Sequence, residues 1–200
     1  ITFVILSELG VGPGLTNVLA KSIAADDKGR ASVAFSTAFF LTAALAMVGC
    51  FALMGVVLSL PVATLFGEKF LPYAEPMRQG IVLGISIVFL KMMTSLGDRA
   101  RAAYQETFVT NLYGAIGNLT AGAILIVGIH HFPKIWFVIL VVNGTLTLAA
   151  LVNMLHLWAR RPHLIPRITQ LDRSLAKFLI SDGLAFCATL SLAPIAKDLG

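Results

Sequence analysis

The segment Ser7-Glu8-Leu9-Gly10-Val11-Gly12-Pro13-Gly14-Leu15-Thr16-Asn17 lies inside the first of several long apolar runs. Three glycines and a proline interrupt a stretch, Ile1 to Ala20, that is otherwise apolar enough to cross a bilayer. In hydrocarbon, a broken helix is tolerated only against other protein or a wet cavity, and broken helices beside a charge are typical of carriers. An ionisable group at that depth is a functional hypothesis by default, so Glu8 is a candidate transport residue. A kinked, glycine-rich packing face with Glu8 near the membrane surface explains the same pattern.

The composition predicts the class of protein. Hydrophobic residues make up 58% of the chain and charged residues 12%, whereas soluble domains carry about 25% charged residues. Apolar runs near the length needed to span a bilayer, about 20 residues, recur along the sequence. We therefore predict an all-α integral membrane protein, a polytopic transmembrane helix bundle. Cys50 and Cys187 fall inside apolar runs and are interpreted as core residues, not as a disulfide or metal pair.

Six spans are predicted, at about 1–20, 31–60, 79–96, 107–129, 135–158 and from 178 onward. Proline residues at 72 and 76 are expected to break any helix in the loop 66–78, and a basic turn is expected at 98–106. The loops after spans one, three and five carry eleven Lys and Arg residues and the other two loops carry three, so the first set is predicted to be cytoplasmic. Both ends look cut, and we expect a further span before Ile1.

Polar residues inside the spans are the candidate functional groups, because the sequence carries no recognisable catalytic motif. In the fourth span a stripe at helical spacing could pack against another helix or line an aqueous path; it comprises Thr107, Asn111, Gly114, Asn118 and Gly122. Asn143 and Thr147, one turn apart in the fifth span, leave the same two interpretations. Asp182, early in the sixth span, is either a path residue or an acid favoured by the helix dipole. Asp26-Asp27 and His130-His131 are interpreted as solvated turns.

Several short segments together resemble the oligosaccharide (O-antigen-type) flippases of the multidrug/oligosaccharidyl-lipid/polysaccharide exporter superfamily. They are Glu8-Leu9-Gly10-Val11-Gly12, Leu15-Thr16-Asn17, Ser36-Thr37-Ala38-Phe39, Tyr104-Gln105-Glu106, Asn111-Leu112, Gly117-Asn118-Leu119 and Leu171-Asp172-Arg173-Ser174-Leu175-Ala176. The resemblance implies about helices 2–7 of a two-lobed carrier of 12–14 helices. Residues 1–158 would be five helices of the N-terminal lobe, 159–177 a basic cytoplasmic inter-lobe loop, and 178–200 the start of the second lobe. Many members of the family carry Asp where Glu8 stands.

The resemblance also implies a function. Such a flippase, which is not an enzyme, moves an undecaprenyl-diphosphate-linked oligosaccharide from the cytoplasmic to the outer leaflet of the bacterial inner membrane during polysaccharide biosynthesis. The implied partners are this substrate and membrane lipids, and partnership with polysaccharide polymerase and chain-length proteins stays open. No cofactor is implied, and coupling to H⁺ or Na⁺ stays open. Path candidates are Glu8, Asn17, Asn111, Asn118, Asn143 and Asp182; Lys91, Arg99 and Arg101 could attract the diphosphate or serve only as topology anchors.

Two other functions stay open at this point. One is an ion-coupled multidrug or metabolite antiporter of the same superfamily, in which Glu8 would be the proton or cation site. The other is a membrane-embedded glycosyltransferase or polymerase, which would need a catalytic outer loop, whereas both outer loops predicted here are short.

Overall fold

The computed structural model describes residues 11–61 and 67–181, without the side chains of 68–70. Within these ranges the backbone forms helices and turns and no strand. We number the helices α1 (Val11–Ala24), α2 (Lys28–Ser59), α3 (Ala74–Ala103), α4 (Thr107–Gly128), α5 (Ile135–Arg160) and α6, described over 173–181. Four of them, α2 to α5, are long and apolar enough to cross a membrane. The predicted all-helical fold is confirmed, and these four helices are compatible with a multi-pass membrane protein.

The predicted interruption of the first span is wrong for its described part, because α1 is helical throughout Val11–Ala24. Gly12 and Gly14 are buried in this helix. A Cβ at Gly14 would lie 3.0 Å from Cδ2 of Leu179 on α6. The glycines therefore permit close packing, as the alternative interpretation proposed. Residues 1–10, including Glu8, lie outside the described residues.

The predicted loops were too wide, since helices continue past the apolar runs. The helix α3 reaches Ala103, so Arg99 and Arg101 lie on a helix and the turn that follows is only three residues long. Pro76 does not break α3, because it lies in the first turn, where a backbone N–H has no intrahelical acceptor. The helix α6 begins at 173 instead of 178, since Asp172 caps it: Oδ1 of Asp172 accepts the N–H groups of Ser174 and Leu175 at 2.8 and 3.1 Å.

Contacts divide the chain into two compact units. The first contains the described residues of Ile1–Ala43, Ser95–Thr107 and Met154–Gly200, and the second those of Ala44–Thr94 and Phe108–Asn153. The three turns that the charge count placed on one side fall in the first unit, but Lys91, which was counted with them, lies inside α3 in the second unit. The turns assigned to the opposite side fall in the second unit. The membrane topology, including the cytoplasmic assignment, stays a prediction.

The core of the first unit is built from large apolar side chains and small residues at helix contacts. Its fully buried residues include Leu15, Leu19, Phe35, Leu96, Leu157 and Leu164. A Cβ at Gly97 of α3 would lie 3.0 Å from Cβ of Met154 on α5. Close approach of helix backbones through small residues is the usual packing of membrane helices, which have little hydrophobic driving force between them.

In the second unit, glycines also mark the helix contacts. A Cβ at Gly49 of α2 would lie 2.8 Å from the ring of Phe89 on α3, and one at Gly117 of α4 would lie 3.0 Å from Cβ of Ala149 on α5. Within α5, Leu140–Gly144 forms a turn of π-helix. Such single π turns inside α-helices occur frequently at functional sites.

Candidate functional site

The turn between α3 and α4 fixes the position of an acidic side chain. Gln105 adopts a left-handed conformation with φ of 59°. The N–H of Gln105 bonds to the carbonyl of Ala102 at 3.0 Å, and the N–H of Glu106 bonds to that of Arg101 at 2.8 Å. This pair of bonds is the Schellman motif, which ends a helix and reverses the chain direction. Glu106 consequently stands directly before α4 with its backbone held.

The carboxylate of Glu106 joins the ends of two other helices. It accepts a hydrogen bond from Nη1 of Arg101 at 2.8 Å. It also accepts hydrogen bonds from Nη2 and Nη1 of Arg161 at 2.6 and 3.1 Å. The side chain of Arg101 is 2% exposed, that of Arg161 21% and that of Glu106 30%. The Arg161 hydrogen bond is the largest cause that holds the pKa of Glu106 below its ordinary value. We call Arg101, Glu106 and Arg161 the latch, since one carboxylate connects α3, α4 and the residue that follows α5.

An aromatic ring and a histidine extend the latch. The guanidinium carbon of Arg161 lies 3.8 Å from the ring centroid of Tyr104, a cation–π contact. The hydroxyl of Tyr104 is 3.2 Å from Nε2 of His163. Burial raises the pKa of Tyr104 and, together with the positive charges of Lys28 and Arg161, lowers the pKa of His163. The neutral imidazole is thereby favoured, and its Nε2 can accept a hydrogen bond from the Tyr104 hydroxyl.

A cavity of about 160 Å³ lies against the extended latch. Side chains of both signs line it, among them Asp26, Asp27, Lys28, Arg161 and His163. Asp27 has a structural role, because its Oδ1 accepts the N–H of Arg30 at 2.8 Å and so caps the first turn of α2. Among the described residues no group of three or more His, Cys, Asp or Glu side chains is placed to hold a metal ion.

The segment 161–172, part of the predicted basic loop 159–177, is fastened to α2 by hydrogen bonds at Arg167, Gln170 and Asp172. Oε1 of Gln170 accepts hydrogen bonds from the hydroxyls of Ser32 and Ser36 at 2.7 and 3.3 Å. The N–H of Arg167 donates to Ser36 Oγ, and that of Asp172 donates to Thr37 Oγ1, both at 3.1 Å. The three hydroxyl residues are buried. The segment is therefore a docked strap, and its two short 3₁₀ turns are Pro162–Leu164 and Ile168–Gln170.

The amide stripe predicted on the fourth span lies on the open side of α4. Asn111 and Asn118 are exposed. No atom in the described part of the chain comes within 4 Å of a Cβ placed at Gly114 or Gly122. The helix packs instead through Gly117 and Ala121, which are buried. Within the described residues, the stripe therefore does not serve as the contact face of α4, which leaves the path interpretation in place.

The other predicted path residues are not brought to one place by what the structure describes. Asn17 is exposed on α1 in the first unit. Asn143 is exposed in the second unit, in the π turn of α5, where its Nδ2 donates to the carbonyl of Ile139 at 3.3 Å. Thr147 is buried and donates to the carbonyl of Asn143 at 2.8 Å. Glu8 and Asp182 lie outside the described residues.

The three predicted diphosphate residues differ in their surroundings. Arg101 is buried and paired with Glu106. Lys91 and Arg99 are half-buried on α3, and the carbonyl of Arg99 accepts the hydroxyl of Thr16 at 3.4 Å. The ion pair accounts for Arg101 structurally, whereas the role of the other two cations stays a prediction.

Comparison of the chain with protein-family models, with curated proteins and with solved structures finds no match.

Proposed function

We propose that this chain is part of a bacterial inner-membrane carrier that moves an undecaprenyl-diphosphate-linked oligosaccharide from the cytoplasmic to the outer leaflet. The resemblance of its motifs to the O-antigen-type flippases suggests the substrate. The observation that carries the proposal is the exposed amide stripe on α4. The four long apolar helices supply the membrane setting.

The stripe supports a polar path because of its surroundings. Asn111 and Asn118 lie on a helix of bilayer-spanning length, where hydrocarbon is a poor environment for an amide. They are seven residues apart, which is about 10 Å along a helix, and so suit successive contacts with an extended sugar chain. Gly114 lies between them and leaves room at the surface. An aqueous path would hydrate the amides, and the hydroxyl groups of a sugar could replace that water during passage.

The latch supports the same function in a different way. Carriers of this kind alternate access by moving one bundle against another as largely rigid bodies. A bundle that moves as one body needs its helix ends connected, and Glu106 connects α3, α4 and Arg161 after α5. The strap adds a connection to α2 through Ser32 and Ser36. These contacts would keep the cytoplasmic ends of the helices together during transport.

The decisive experiment changes the width of the proposed path. The full-length gene carrying Asn118→Trp is expressed in a deletion strain, and surface polysaccharide and protein abundance are measured. Leu119→Trp is the matched control, because Leu119 is 76% exposed on the same helix but points about 100° away. We expect Asn118→Trp to abolish export at normal abundance and Leu119→Trp to leave export intact.

Thiol labelling provides an independent measurement of the same path. Asn111→Cys and Asn118→Cys should react with a small water-soluble reagent, whereas Leu119→Cys should react slowly, because the proposed path leaves that side of α4 to the lipid. Normal export by Asn118→Trp together with unreactive cysteines at both amides would refute the path. If Asn118→Trp leaves export normal but abolishes gradient-dependent efflux of organic cations, the antiporter function is the correct one.

A further inference from the structure

Two adjoining cavities in the second unit lie along α3 and α5, and we refer to them together as the groove. The upper cavity, of about 510 Å³, is lined by residues near the first turns of both helices, including Tyr73, Lys134 and Trp136. The lower cavity, of about 380 Å³, is lined entirely by apolar residues and glycine. Met77 and Ile135 line both cavities, so the two cavities adjoin at these residues.

The lower part of the groove is apolar and shaped by glycine. Gly80 and Gly84, one turn apart on α3, lie opposite Ile135 and Ile139 of α5. A Cβ at Gly80 would lie 3.2 Å from Cδ1 of Ile139, whereas one at Gly84 would lie 4.0 Å from its Cγ2. The helices α3 and α5 are therefore in close contact at the buried Gly80 and slightly less close at Gly84, which is partly exposed. The π turn of α5 begins directly after Ile139.

The upper part is amphipathic. Tyr73 is 63% exposed, and Trp136 packs edge-on against Phe137 with ring centroids 6.2 Å apart. Lys134 is exposed and is the charged side chain among the described residues that line this cavity. Gln79 also lines it, and its Nε2 donates to Glu75 Oε1 at 3.2 Å. Aromatic residues with a lysine are typical of the level of lipid head groups.

We propose that this groove binds one anionic phospholipid, with an acyl chain along Gly80 and Gly84 and the phosphate near Lys134 and Trp136. The choice of a lipid follows from the change from an amphipathic mouth to an apolar floor along two helices of bilayer-spanning length. The choice of an anionic head group follows from the charge of Lys134. The inference does not depend on the carrier function.

Native mass spectrometry of the purified full-length protein with phosphatidylglycerol or phosphatidylcholine tests the proposal. The wild type should retain one phosphatidylglycerol in preference to phosphatidylcholine. Gly84→Leu should weaken its binding on the order of tenfold, since the added side chain occupies the groove. Gly55→Leu is the matched control, because Gly55 is exposed on α2 with nothing within 4 Å of a Cβ, and it should bind as the wild type does.

The head-group contact has a separate variant. Lys134→Gln should lower the affinity for phosphatidylglycerol about fivefold and leave that for phosphatidylcholine unchanged, because one cation near a lipid surface contributes about that factor. Unchanged binding in both Gly84→Leu and Lys134→Gln would overturn the proposal. The proposal would also be overturned if the wild-type protein retained phosphatidylglycerol no better than phosphatidylcholine.

A fluorescence measurement keeps the test valid if Gly84→Leu does not fold. Trp136 can be observed alone in Trp158→Phe, since the indole N–H of Trp158 is buried without a hydrogen-bond partner in the described part of the chain. Brominated phosphatidylglycerol should quench Trp136 at a low mole fraction and with saturation. Quenching that only follows the bulk mole fraction, or no quenching, would show that no specific lipid occupies the groove.

Discussion

Replacing Glu106 with glutamine should destabilise the protein more than any other single acid-to-amide change in the turns of the first unit. The substitution keeps the size of the side chain and removes its charge. Arg101 would then remain 2% exposed and without the carboxylate that it contacts at 2.8 Å. Arg161 would lose the anion that it contacts through both of its terminal nitrogens.

The expected magnitude follows from burial. Breaking a fully buried ion pair by removing one partner costs about 3–5 kcal/mol, and a hydrogen bond to a charged group contributes about 1.5–3 kcal/mol. Because Glu106 is 30% exposed and solvent screens part of the interaction, we expect the lower range, about 2–3 kcal/mol. For a soluble domain of this size, that loss corresponds to a fall in melting temperature of roughly 5–10 °C.

Thermal unfolding in detergent, followed by circular dichroism, measures this change. Asp27→Asn is the matched control, because Asp27 also precedes a helix and accepts one backbone N–H, and asparagine caps a helix equally well. Its melting temperature should stay within about 1–2 °C of the wild type. Arg161→Gln, alone and combined with Glu106→Gln, completes a double-mutant cycle in which the two losses should not add.

Acid provides a second test of the latch. Because the folded protein lowers the pKa of Glu106 below its ordinary 4.5, the stabilisation is fully present above pH 4.5 and is lost as the pH falls through the lowered pKa. The difference between the wild type and Glu106→Gln should therefore shrink as the pH falls below 4.5. Equal melting temperatures at neutral pH, or additive losses in the cycle, would refute the stabilising role of this carboxylate.

Two further predictions concern the same end of the first unit. His163 has a lowered pKa, so its stabilising contribution is complete above pH 6.5 and is lost as the pH falls through the lowered value. His163→Phe should therefore reduce the loss of thermal stability below pH 6.5. An unchanged dependence of the melting temperature on pH would contradict this. Gln105→Gly should raise the free energy of unfolding by up to about 1 kcal/mol, because a left-handed residue with a Cβ is strained and glycine is not. Asp26→Gly, at a φ of 51°, should gain less, since aspartate tolerates this conformation better, and a larger gain at Asp26 would contradict the reasoning.

Composition was sufficient to predict the helices and insufficient to predict where they end. The spans 31–60, 107–129 and 135–158 agree with α2, α4 and α5 within a few residues. The third was too short because the hydropathy argument ended it before the cluster of charges that begins at Asp98. Backbone capping ends α3 instead, at the left-handed Gln105, after the helix has carried Arg99 and Arg101 past the apolar run.

The latch was not predicted because its partners are distant in sequence. Glu106 and Arg161 are separated by 55 residues, and no local pattern connects them. In the sequence, only the family resemblance singles out Tyr104-Gln105-Glu106. A usable signal was present in the predicted topology, which placed the turn at 98–106 and the basic segment 159–177 on the same side. An acid in a short turn beside an arginine-rich segment on that side indicates an ion pair.

The amide stripe on α4 shows a second limit of prediction from the sequence. Spacing alone placed Asn111, Gly114, Asn118 and Gly122 on one side of α4, but spacing could not distinguish a packing face from an open one. In the described part of the chain, α4 meets α5 through Gly117 on its other side. Small residues therefore occur on both sides of this helix, and only one set meets a neighbour in the described part of the chain.

The charge balance of the latch limits what it can do. Arg101 and Arg161 share the one carboxylate of Glu106, so the three groups keep one net positive charge. Burial is the largest cause of the lowered pKa of His163, and the positive charges of Lys28 and Arg161 lower it further. Both latch arginines nevertheless contact Glu106. If either arginine bound a diphosphate instead, the carboxylate of Glu106 would keep only the other arginine as a latch partner. The latch therefore suits a connecting role within the bundle better than direct binding of an anionic substrate.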